Sequence, residues 1–279
     1  MAERGLTSDR TAPTLGTPQG LGPWLTRIRE PGMAVVSILL FLLLWQALSS
    51  TILNPYLIPP PSRIFAAASP MIRSGELFRD TAISLSRVAV GFFAGSVLAI
   101  LLGVLMGRLR LLNEMMDPIV ELLRYHSPTA MISIAVIWFG IGETSKYFLI
   151  FWGTFFIVLI NAIAGVLRTP LTRQRAAQCM GASQLQIFLL VVFPSAVPYI
   201  VTGMRVALAS AYMSLIPAEM LAADSGLGYL LQQSGMLLET DRIFVALLTI
   251  SVLGFTSDRL FRLLVKRTLS RYMTTTVRT

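Results

Sequence analysis

Cysteine, histidine and charged side chains are scarce in this sequence. Its 279 residues include one cysteine, Cys179, and one histidine, His126, and charged residues make up 13% of the total. A single cysteine excludes a disulfide bond within the chain, and one cysteine with one histidine cannot form a clustered metal site. Because ordinary globular chains carry about 25% charged residues, the composition also argues against a soluble protein.

Nucleotide-binding and catalytic motifs are also missing. The stretch closest to the phosphate-binding pattern G-x-x-x-x-G-K-[ST], residues 140–146, has Ser145 where the second glycine belongs and Tyr147 where serine or threonine should follow. Neither H-E-x-x-H nor G-x-S-x-G occurs. We therefore expect no enzyme activity, no cofactor and no metal, and energy for any work must come from another subunit.

Apolar residues dominate the sequence instead. They account for 54% of it, and the mean hydropathy is +0.70. Since a membrane-spanning helix needs about 20 largely apolar residues, we predict an all-α polytopic membrane protein with six transmembrane helices. Pro128 falls in the third predicted span and Arg205 in the fifth. The spans lie near 31–50, 86–106, 120–140, 146–167, 196–217 and 243–264.

The distribution of lysine and arginine predicts the orientation of these spans. Placing the N-terminus in the cytoplasm puts 15 Lys and Arg residues, counted over the terminal regions and the inner loops, on the cytoplasmic side and five on the other, as the positive-inside rule requires. Both termini are therefore expected inside. This asymmetry explains the net charge of +9, so the charge does not imply a nucleic-acid partner.

The two ends of the chain differ from its apolar centre. Residues 1–30 are rich in Gly, Pro, Thr and Ser and are expected to form a flexible cytoplasmic tail. We expect no cleavable signal peptide, because the first long apolar run begins only after Pro31 and no cleavage site precedes it. Residues 31–267 are assigned to a transmembrane domain, and 268–279 to a second cytoplasmic tail.

A polar segment, residues 168–194, separates the fourth span from the fifth. Thr169 followed by Pro170 predicts an N-cap with proline at the first helical position. Gly181 is expected to end this first short helix. The topology above places the segment in the cytoplasm.

A second short helix is predicted directly after Gly181. Ser183 and Gln186 have the spacing of a capping box, and Pro194 and Pro198 are expected to break the helix that follows. Two short helices that meet at a glycine, with arginines nearby, form a compact basic surface suited to a partner's groove. An ordinary cytoplasmic loop is the alternative.

This segment resembles the EAA loop of ATP-binding-cassette (ABC) importer permeases, E-A-A-x3-G-x9-I-x-L-P. The positions that agree are Ala176, Ala177, Gly181 and Pro194. The positions that differ are Arg175 in place of glutamate, Val191 in place of isoleucine and Phe193 in place of leucine. The arginine puts any specific charge contact of the family's glutamate in question for this chain.

Four further stretches are similar to the nitrate/sulfonate/taurine/bicarbonate subgroup of these permeases. Together with the EAA-like loop they cover most of residues 55–265, in the expected order. They are L-I-P-P-P-S-R-I at 57–64, L-S-R-V-A-V-G-F-F-A-G-S-V-L-A-I-L-L-G at 85–103, I-A-V-I-W-F-G-I-G-E at 134–143 and A-E-M-L-A-A-D-S-G-L-G-Y-L at 218–230.

The resemblance implies the membrane subunit of a type I ABC importer in the bacterial inner membrane. Its expected partners are two cytoplasmic ATPase subunits, a periplasmic solute-binding protein and a second permease copy. The expected solute is a small anion or related compound such as a sulfonate, nitrate or taurine. The residues expected to couple the chain to the ATPase are Arg175, Ala176, Ala177, Gly181, Ala182 and Pro194.

Polar groups within the predicted spans are candidates for the translocation path, since they are costly in a bilayer. Arg205 is interpreted as a structural contact near the inner mouth, with a solute contact as the alternative. His126 is interpreted as a packed or interface residue, with a pathway role as the alternative, and methionines such as Met213 as adaptable packing. The candidate path residues are His126, Ser127, Thr129, Arg205, Met213 and Ser214.

Residues near the end of the fifth span are candidates for contact with the binding protein. Glu219 and Asp224 fall on the periplasmic side of the predicted topology, where a solvated loop is the alternative. Small residues recur at every fourth position along two spans, which favours close helix packing. This packing is either within the chain or at a dimer interface. The two stripes are Gly91, Gly95, Ala99, Gly103, Gly107 and Gly203, Ala207, Ala211.

Two other classes of protein are weighed against the importer. An ion-coupled secondary transporter or channel, acting without an ATPase, usually buries carboxylates near the membrane midplane. Asp and Glu are nearly absent from the interiors of the predicted spans, and Asp258 lies at the end of the sixth. A structural membrane scaffold would not need the EAA-like geometry.

Overall fold

The computed structural model describes residues 23–52 and 54–269. All regular elements within these ranges are helices, in agreement with the predicted fold class. The first six are α1 (Pro23–Thr51), α2 (Pro61–Arg73), α3 (Glu76–Arg108), α4 (Arg110–Arg124), α5 (Ile132–Phe139) and α6 (Glu143–Leu167). They are followed by α7 (Leu171–Cys179), α8 (Gln184–Ile187), a π-helical segment (Phe188–Val192), α9 (Phe193–Ala222), α10 (Leu227–Met236) and α11 (Thr240–Thr268).

Small residues allow α3 and α6 to pack backbone against backbone at the centre of the bundle. A Cβ atom added to Gly91 would lie 2.6 Å from the Cβ of Ile150, and one added to Gly103 would lie 2.7 Å from the Cβ of Ala162. Carbon atoms do not approach so closely, so any larger residue would push the helices apart. Residues later in α3 contact residues later in α6, so the two helices run parallel. The first predicted stripe therefore packs within the chain.

Helix α9 runs antiparallel to α6. Gly203 of α9 lies against the side chain of Asn161, while Gly165 near the end of α6 lies against Ala196. The second stripe thus also packs within the chain. The bundle has two ends: the α7 end, where α3 and α6 finish and α9 begins, and the α10 end, where α3 and α6 begin and α9 finishes.

The connection between α3 and α6 crosses the bundle in two pieces. Since the two helices are parallel, residues 109–142 must return from the α7 end to the α10 end. They do so as α4 and α5, separated by a non-helical turn at 125–131. The prediction of one continuous span over 120–140 is wrong, because Pro128 cannot donate a helical hydrogen bond and biases Ser127 away from the helical conformation.

Four helical stretches in the described part of the chain are long and apolar enough to cross a membrane. They are α3, α6, α11 and the continuous stretch Gln184–Leu221, which includes α8, the π-helical segment and most of α9. Helix α1, which contains the predicted span 31–50, holds a shorter apolar stretch, Val36–Thr51. The total of six spans remains a prediction.

The predicted tails fall mostly outside the described residues. Helix α1 begins at Pro23, inside the segment predicted as a flexible tail, and residues 1–22 lie outside the described part. Helix α11 ends at Thr268, close to the predicted end of the transmembrane domain, and residues 270–279 again lie outside it.

Helices α2 and α10 pack against the first turns of α11 at the α10 end. Ile64 and Met71 of α2, Leu230 of α10 and Val245 of α11 form one buried apolar cluster. Close packing of these side chains holds the three helices together. The cluster fixes the position of α10, whose first residues reach into the site described below.

Candidate functional site

The segment between α6 and α9 folds as two short helices joined at a left-handed glycine. Helix α7 ends at Cys179, and Gly181 follows with φ +81°, a conformation that residues with a Cβ atom rarely adopt. The Gln186 amide donates to the Ser183 hydroxyl at 3.3 Å, and the Ser183 amide donates to the Gln186 side chain at 2.8 Å. This is the capping box that the sequence predicts. We call residues 171–187 the α7–α8 segment.

Two predicted boundaries of these helices are wrong. Pro170 is the N-cap of α7, so the helix begins one residue later than predicted. Thr169 is buried, and its hydroxyl donates to the carbonyl of Gly165 at 3.4 Å instead of capping α7. Pro194 and Pro198 do not break the following helix: a π-helical segment lies directly before Pro194, and α9 continues through Pro198.

One face of the α7–α8 segment is anchored to the bundle. Ala177 of α7 and Ile187 of α8 are buried in an apolar cluster with Val166 of α6 and Ala196 of α9. The Arg108 guanidinium lies 4.6 Å from the centre of the Phe188 ring, so the end of α3 also contacts the segment that leads into α9. Movement of the α7–α8 segment would therefore pull directly on α6 and α9.

The opposite face of the segment is exposed and partly apolar. The exposed apolar side chains on and next to it are Leu171, Met180, Leu185, Leu189 and Leu190. Of the residues predicted to couple to a partner, Arg175, Ala176 and Gly181 are exposed, Ala182 and Pro194 are partly buried, and Ala177 is buried. Leu189 and Leu190 follow the segment within the apolar stretch Gln184–Leu221, whereas the exposed Leu171, Met180 and Leu185 lie on the segment itself and suit a protein contact.

Arg205 and Met213 line a groove of about 290 Å³ between α9 and α11. The Arg205 Nε atom donates to Asp258 at 2.8 Å, and Asp258 also pairs with Arg262 one turn further along α11. Met213 is 76% exposed. The structure thus joins Arg205 to a carboxylate at one end of a mainly apolar groove.

The remaining predicted path residues lie elsewhere. His126, Ser127 and Thr129 are exposed in the turn between α4 and α5, and the Trp152 indole donates to the His126 carbonyl at 3.2 Å. Ser214 is buried at the contact between α9 and α6. The six predicted residues therefore do not line one common surface within this chain.

An ion cluster that the sequence analysis missed lies at the α10 end. Arg87 of α3 is 1% exposed, and its Nε and Nη2 atoms donate to the two carboxylate oxygens of Glu143 at 2.7 and 2.6 Å. Its Nη1 atom donates to Glu219 at 2.8 Å and to the Ser225 carbonyl at 2.7 Å. Lys146 is buried and donates to Glu143 at 2.8 Å. We call Ser84, Arg87, Glu143, Lys146 and Glu219 the Arg87 cluster.

Glu219 is fully buried within this cluster. Besides Arg87, its carboxylate accepts hydrogen bonds from the Ser84 hydroxyl at 2.8 and 2.9 Å and from the Gly228 amide at 2.8 Å. These donors replace the water that the carboxylate loses on burial. Because Glu219 is 0% exposed, the prediction that it contacts an outside partner is wrong; Asp224, its predicted companion, is exposed.

The first turn of α10 is held by side chains of other helices. The Gly226 amide donates to Asp80 at 3.1 Å, the Leu227 amide to Ser84 at 2.9 Å and the Gly228 amide to Glu219. A helix start leaves such amides without intrahelical partners, and carboxylates there are also favoured by the helix dipole. The loop that joins α9 to α10 is consequently fixed to α3 and α9.

A signal for the cluster was present in the sequence. Arg87 lies in the second predicted span, and a charge in an apolar span is stable only when it is paired. The carboxylates close to the ends of other spans, Glu143 and Glu219, were the available partners. Spacing alone could not select them, because they are 56 and 132 residues away.

Comparison with known proteins adds family information. Residues 95–270, more than half of the chain, match the family described as binding-protein-dependent transport system inner membrane component. The taurine transport system permease protein TauC of Escherichia coli (strain K12) is 34% identical over 245 residues, which cover 86% of this chain and 89% of TauC. The bicarbonate transport system permease protein CmpB of Synechococcus elongatus is 30% identical over 266 residues, covering 91% of this chain and 95% of CmpB.

A solved structure resembles the fold. A chain from the MetNI methionine ABC transporter in its inward-facing conformations matches with a TM-score of 0.54 and 21% sequence identity. The match covers 69% of this chain and 97% of that chain. At this identity the likeness concerns the fold alone.

Proposed function

The chain belongs to the inner membrane components of binding-protein-dependent transport systems, the permeases of ABC importers, and we propose that it forms the translocation path of an ATP-driven importer for a small anion. A sulfonate, taurine or nitrate is the proposed class of solute. TauC and CmpB are permeases of taurine and bicarbonate transport systems, which supports this class. The chain itself is proposed to be non-catalytic, with ATP hydrolysed by a separate subunit.

The α7–α8 segment carries the proposal. It offers an exposed apolar surface, and its buried face is fixed to α6 and α9 by Ala177 and Ile187. A partner that binds the exposed face can therefore move α6 and α9. We assign this surface to a cytoplasmic ATPase subunit, with Arg175, Ala176 and Gly181 among the contacts.

The proposed complex contains two copies of the permease, two ATPase subunits and one solute-binding protein. The α7 end then faces the cytoplasm, where ATP is available, and the α10 end faces the periplasm. ATP-driven closure of the ATPases would displace the α7–α8 segment, and α9 would transmit this displacement along the bundle. Alternating access follows as a shift of population between inward-open and outward-open arrangements.

The groove between α9 and α11 is the proposed part of the solute path in this chain. It combines an apolar wall with the Arg205–Asp258 pair, and Met213 adds an adaptable side chain. The turn that holds His126, Ser127 and Thr129 is proposed to complete the path against the second copy. Ser214, which is buried, would act through helix packing.

A pair of glycine variants tests this function. Gly181 and Gly140 both have left-handed backbones, with φ +81° and +75°, and neither has any atom within 4 Å of an added Cβ. Gly181→Trp and Gly140→Trp therefore both place a bulky residue at a glycine with positive φ, but at opposite ends of the bundle, and the ψ of 179° at Gly140 makes the control a severe one. The permease would be co-expressed with its ATPase and binding-protein partners, and ATP hydrolysis would be measured in lipid discs.

The importer predicts that the loaded binding protein stimulates ATP hydrolysis. Gly181→Trp should abolish this stimulation while the chain still inserts into the membrane, and Gly140→Trp should retain it. A permease that assembles with no ATPase, yet moves solute in vesicles, would overturn the proposal in favour of a secondary transporter.

A further inference from the structure

A polar cleft of about 350 Å³ opens at the α10 end. It lies between the start of α3 and the loop that joins α9 to α10. The charged residues that line it are Glu76, Arg79, Asp80 and Asp224. We call it the α10 cleft.

Two of these four charged residues have hydrogen-bond partners within the chain. Glu76 accepts a hydrogen bond from Arg242 at 2.8 Å, and Asp80 is buried and accepts one from the Gly226 amide. Arg79 and Asp224 are exposed, and neither forms an ion pair with another residue in the described part of the chain. Arg79 and Asp224 are therefore the exposed charges of the cleft that a partner can pair with.

The wall of the cleft is connected directly to the centre of the bundle. Ser225 lines the cleft, and its carbonyl accepts a hydrogen bond from the buried Arg87 guanidinium. The next residue, Gly226, has φ +113°, and a Cβ atom there would lie 2.8 Å from Arg87 Nη1. A shift of the loop thus cannot occur without moving the Arg87 side chain, which also holds Glu143 of α6.

We propose that the α10 cleft is the docking site for the solute-binding protein, and that Arg87 is the positioning residue that links docking to helices α3, α6 and α9. This inference rests on the proposed importer function and names the surface and the relay that such a function needs. The partner is a protein loop that carries one acidic and one basic side chain, complementary to Arg79 and Asp224. Such exposed pairs mainly set the association rate and make binding sensitive to salt.

A charge reversal tests the docking site. Asp224→Lys places a second cation beside Arg79, so the dissociation constant for the binding protein should rise by about ten-fold or more, and its salt dependence should change. Glu114→Lys is the matched control, because it changes the net charge equally but lies on α4, outside the cleft. The assembled importer in lipid discs would be titrated with binding protein at low and high ionic strength.

The relay is tested with Arg87→Lys. Lysine keeps the charge, but one ammonium group cannot make both the bidentate hydrogen bonds to Glu143 and the hydrogen bonds to Glu219 and Ser225. The binding protein should still dock with nearly unchanged affinity, while its stimulation of ATP hydrolysis should disappear. If this variant does not assemble, Glu143→Gln provides the same test, since the Glu143 side chain is 47% exposed.

The outcomes separate this inference from the importer function. Equal dissociation constants for Asp224→Lys and Glu114→Lys would overturn the docking site, and normal stimulation in both Arg87→Lys and Glu143→Gln would overturn the relay. Either result leaves the importer intact if the unmodified permease still couples docking to ATP hydrolysis. Failure of the unmodified permease to assemble with an ATPase overturns the function itself.

Discussion

Arg87 and Glu219 form an ion pair at 2.8 Å inside the bundle, where their side chains are 1% and 0% exposed. In surroundings without water, a charge is tolerated only when an opposite charge and hydrogen bonds replace the lost hydration. Ser84, Gly228 and Glu143 supply these additional bonds. The pair therefore links α3 to the end of α9 near the α10 end of the bundle.

Removing one partner of this pair should be more harmful than removing both. Arg87→Met leaves Glu219 buried without its cation, and we expect a loss of about 3–5 kcal/mol of folding free energy. Combining it with Glu219→Gln removes the uncompensated charge, so the double variant should be more stable than Arg87→Met alone. Thermal unfolding of the permease in lipid discs measures both effects.

An exposed ion pair is the control for this comparison. Arg63 and Asp241 also lie 2.8 Å apart at the α10 end, but their side chains are 45% and 26% exposed. Arg63→Met should therefore cost no more than about 1 kcal/mol. Strictly additive losses from Arg87→Met and Glu219→Gln would contradict the assigned role of the pair.

Gly226 should tolerate no side chain at all. A Cβ atom there would lie 2.5 Å from Glu219 Oε1, and its φ of +113° is unfavourable for any other residue. We expect Gly226→Ala to lower the folding free energy by at least about 2 kcal/mol. Gly142→Ala is the control, because Gly142 has an extended backbone and no atom within 4 Å of an added Cβ. Similar unfolding temperatures for the two variants would contradict this prediction.

The features that the sequence predicts well are those set by neighbouring residues. The capping box of Ser183 and Gln186 and the turn at Gly181 depend on contacts within four positions, so their residue types are sufficient evidence. The small-residue stripe on α3 likewise predicts close packing. Which helix it packs against depends on the whole chain path, and only the structure identifies α6.

The features that the sequence analysis missed are set by distant residues. Arg87 meets Glu219 only because α3 and α9 are brought together by their shared contacts with α6. The sequence therefore predicts that Glu219 contacts the binding protein, whereas Glu219 is buried within α9. The interruption at Pro128 was visible as a single residue, but hydropathy averaged over a span cannot show that the helix stops there.

The contact between α3 and α6 predicts that two glycine-to-alanine substitutions have very different effects on folding stability. At Gly103 the new methyl group would lie 2.7 Å from the Cβ of Ala162, so Gly103→Ala should destabilise the bundle by about 1–3 kcal/mol. Gly235 in α10 has nothing within 4 Å of an added Cβ. Gly235→Ala should therefore be neutral or stabilising, because alanine favours the helix. The two unfolding temperatures, measured side by side, check this prediction.

The capping box should matter more for coupling than for global stability. Ser183→Ala removes the hydroxyl that accepts a hydrogen bond from the Gln186 amide. Loss of such a cap lowers the folding free energy by about 1 kcal/mol. Ser183 caps the first turn of the continuous stretch Gln184–Leu221, so this loss should fall mainly on the local order of that turn in the α7–α8 segment. We expect nearly unchanged thermal unfolding, together with reduced stimulation of ATP hydrolysis by the loaded binding protein.

Ser86→Ala is the control for the capping box. The Ser86 hydroxyl is exposed and donates only to the Ile83 carbonyl within α3, far from the α7 end. Its removal should alter neither unfolding nor ATP hydrolysis. If Ser183→Ala also left the stimulation unchanged, α8 would not need its cap to transmit force. The connection to α9 would then come from the continuous helical stretch Gln184–Leu221 and from the burial of Ile187 and Val192.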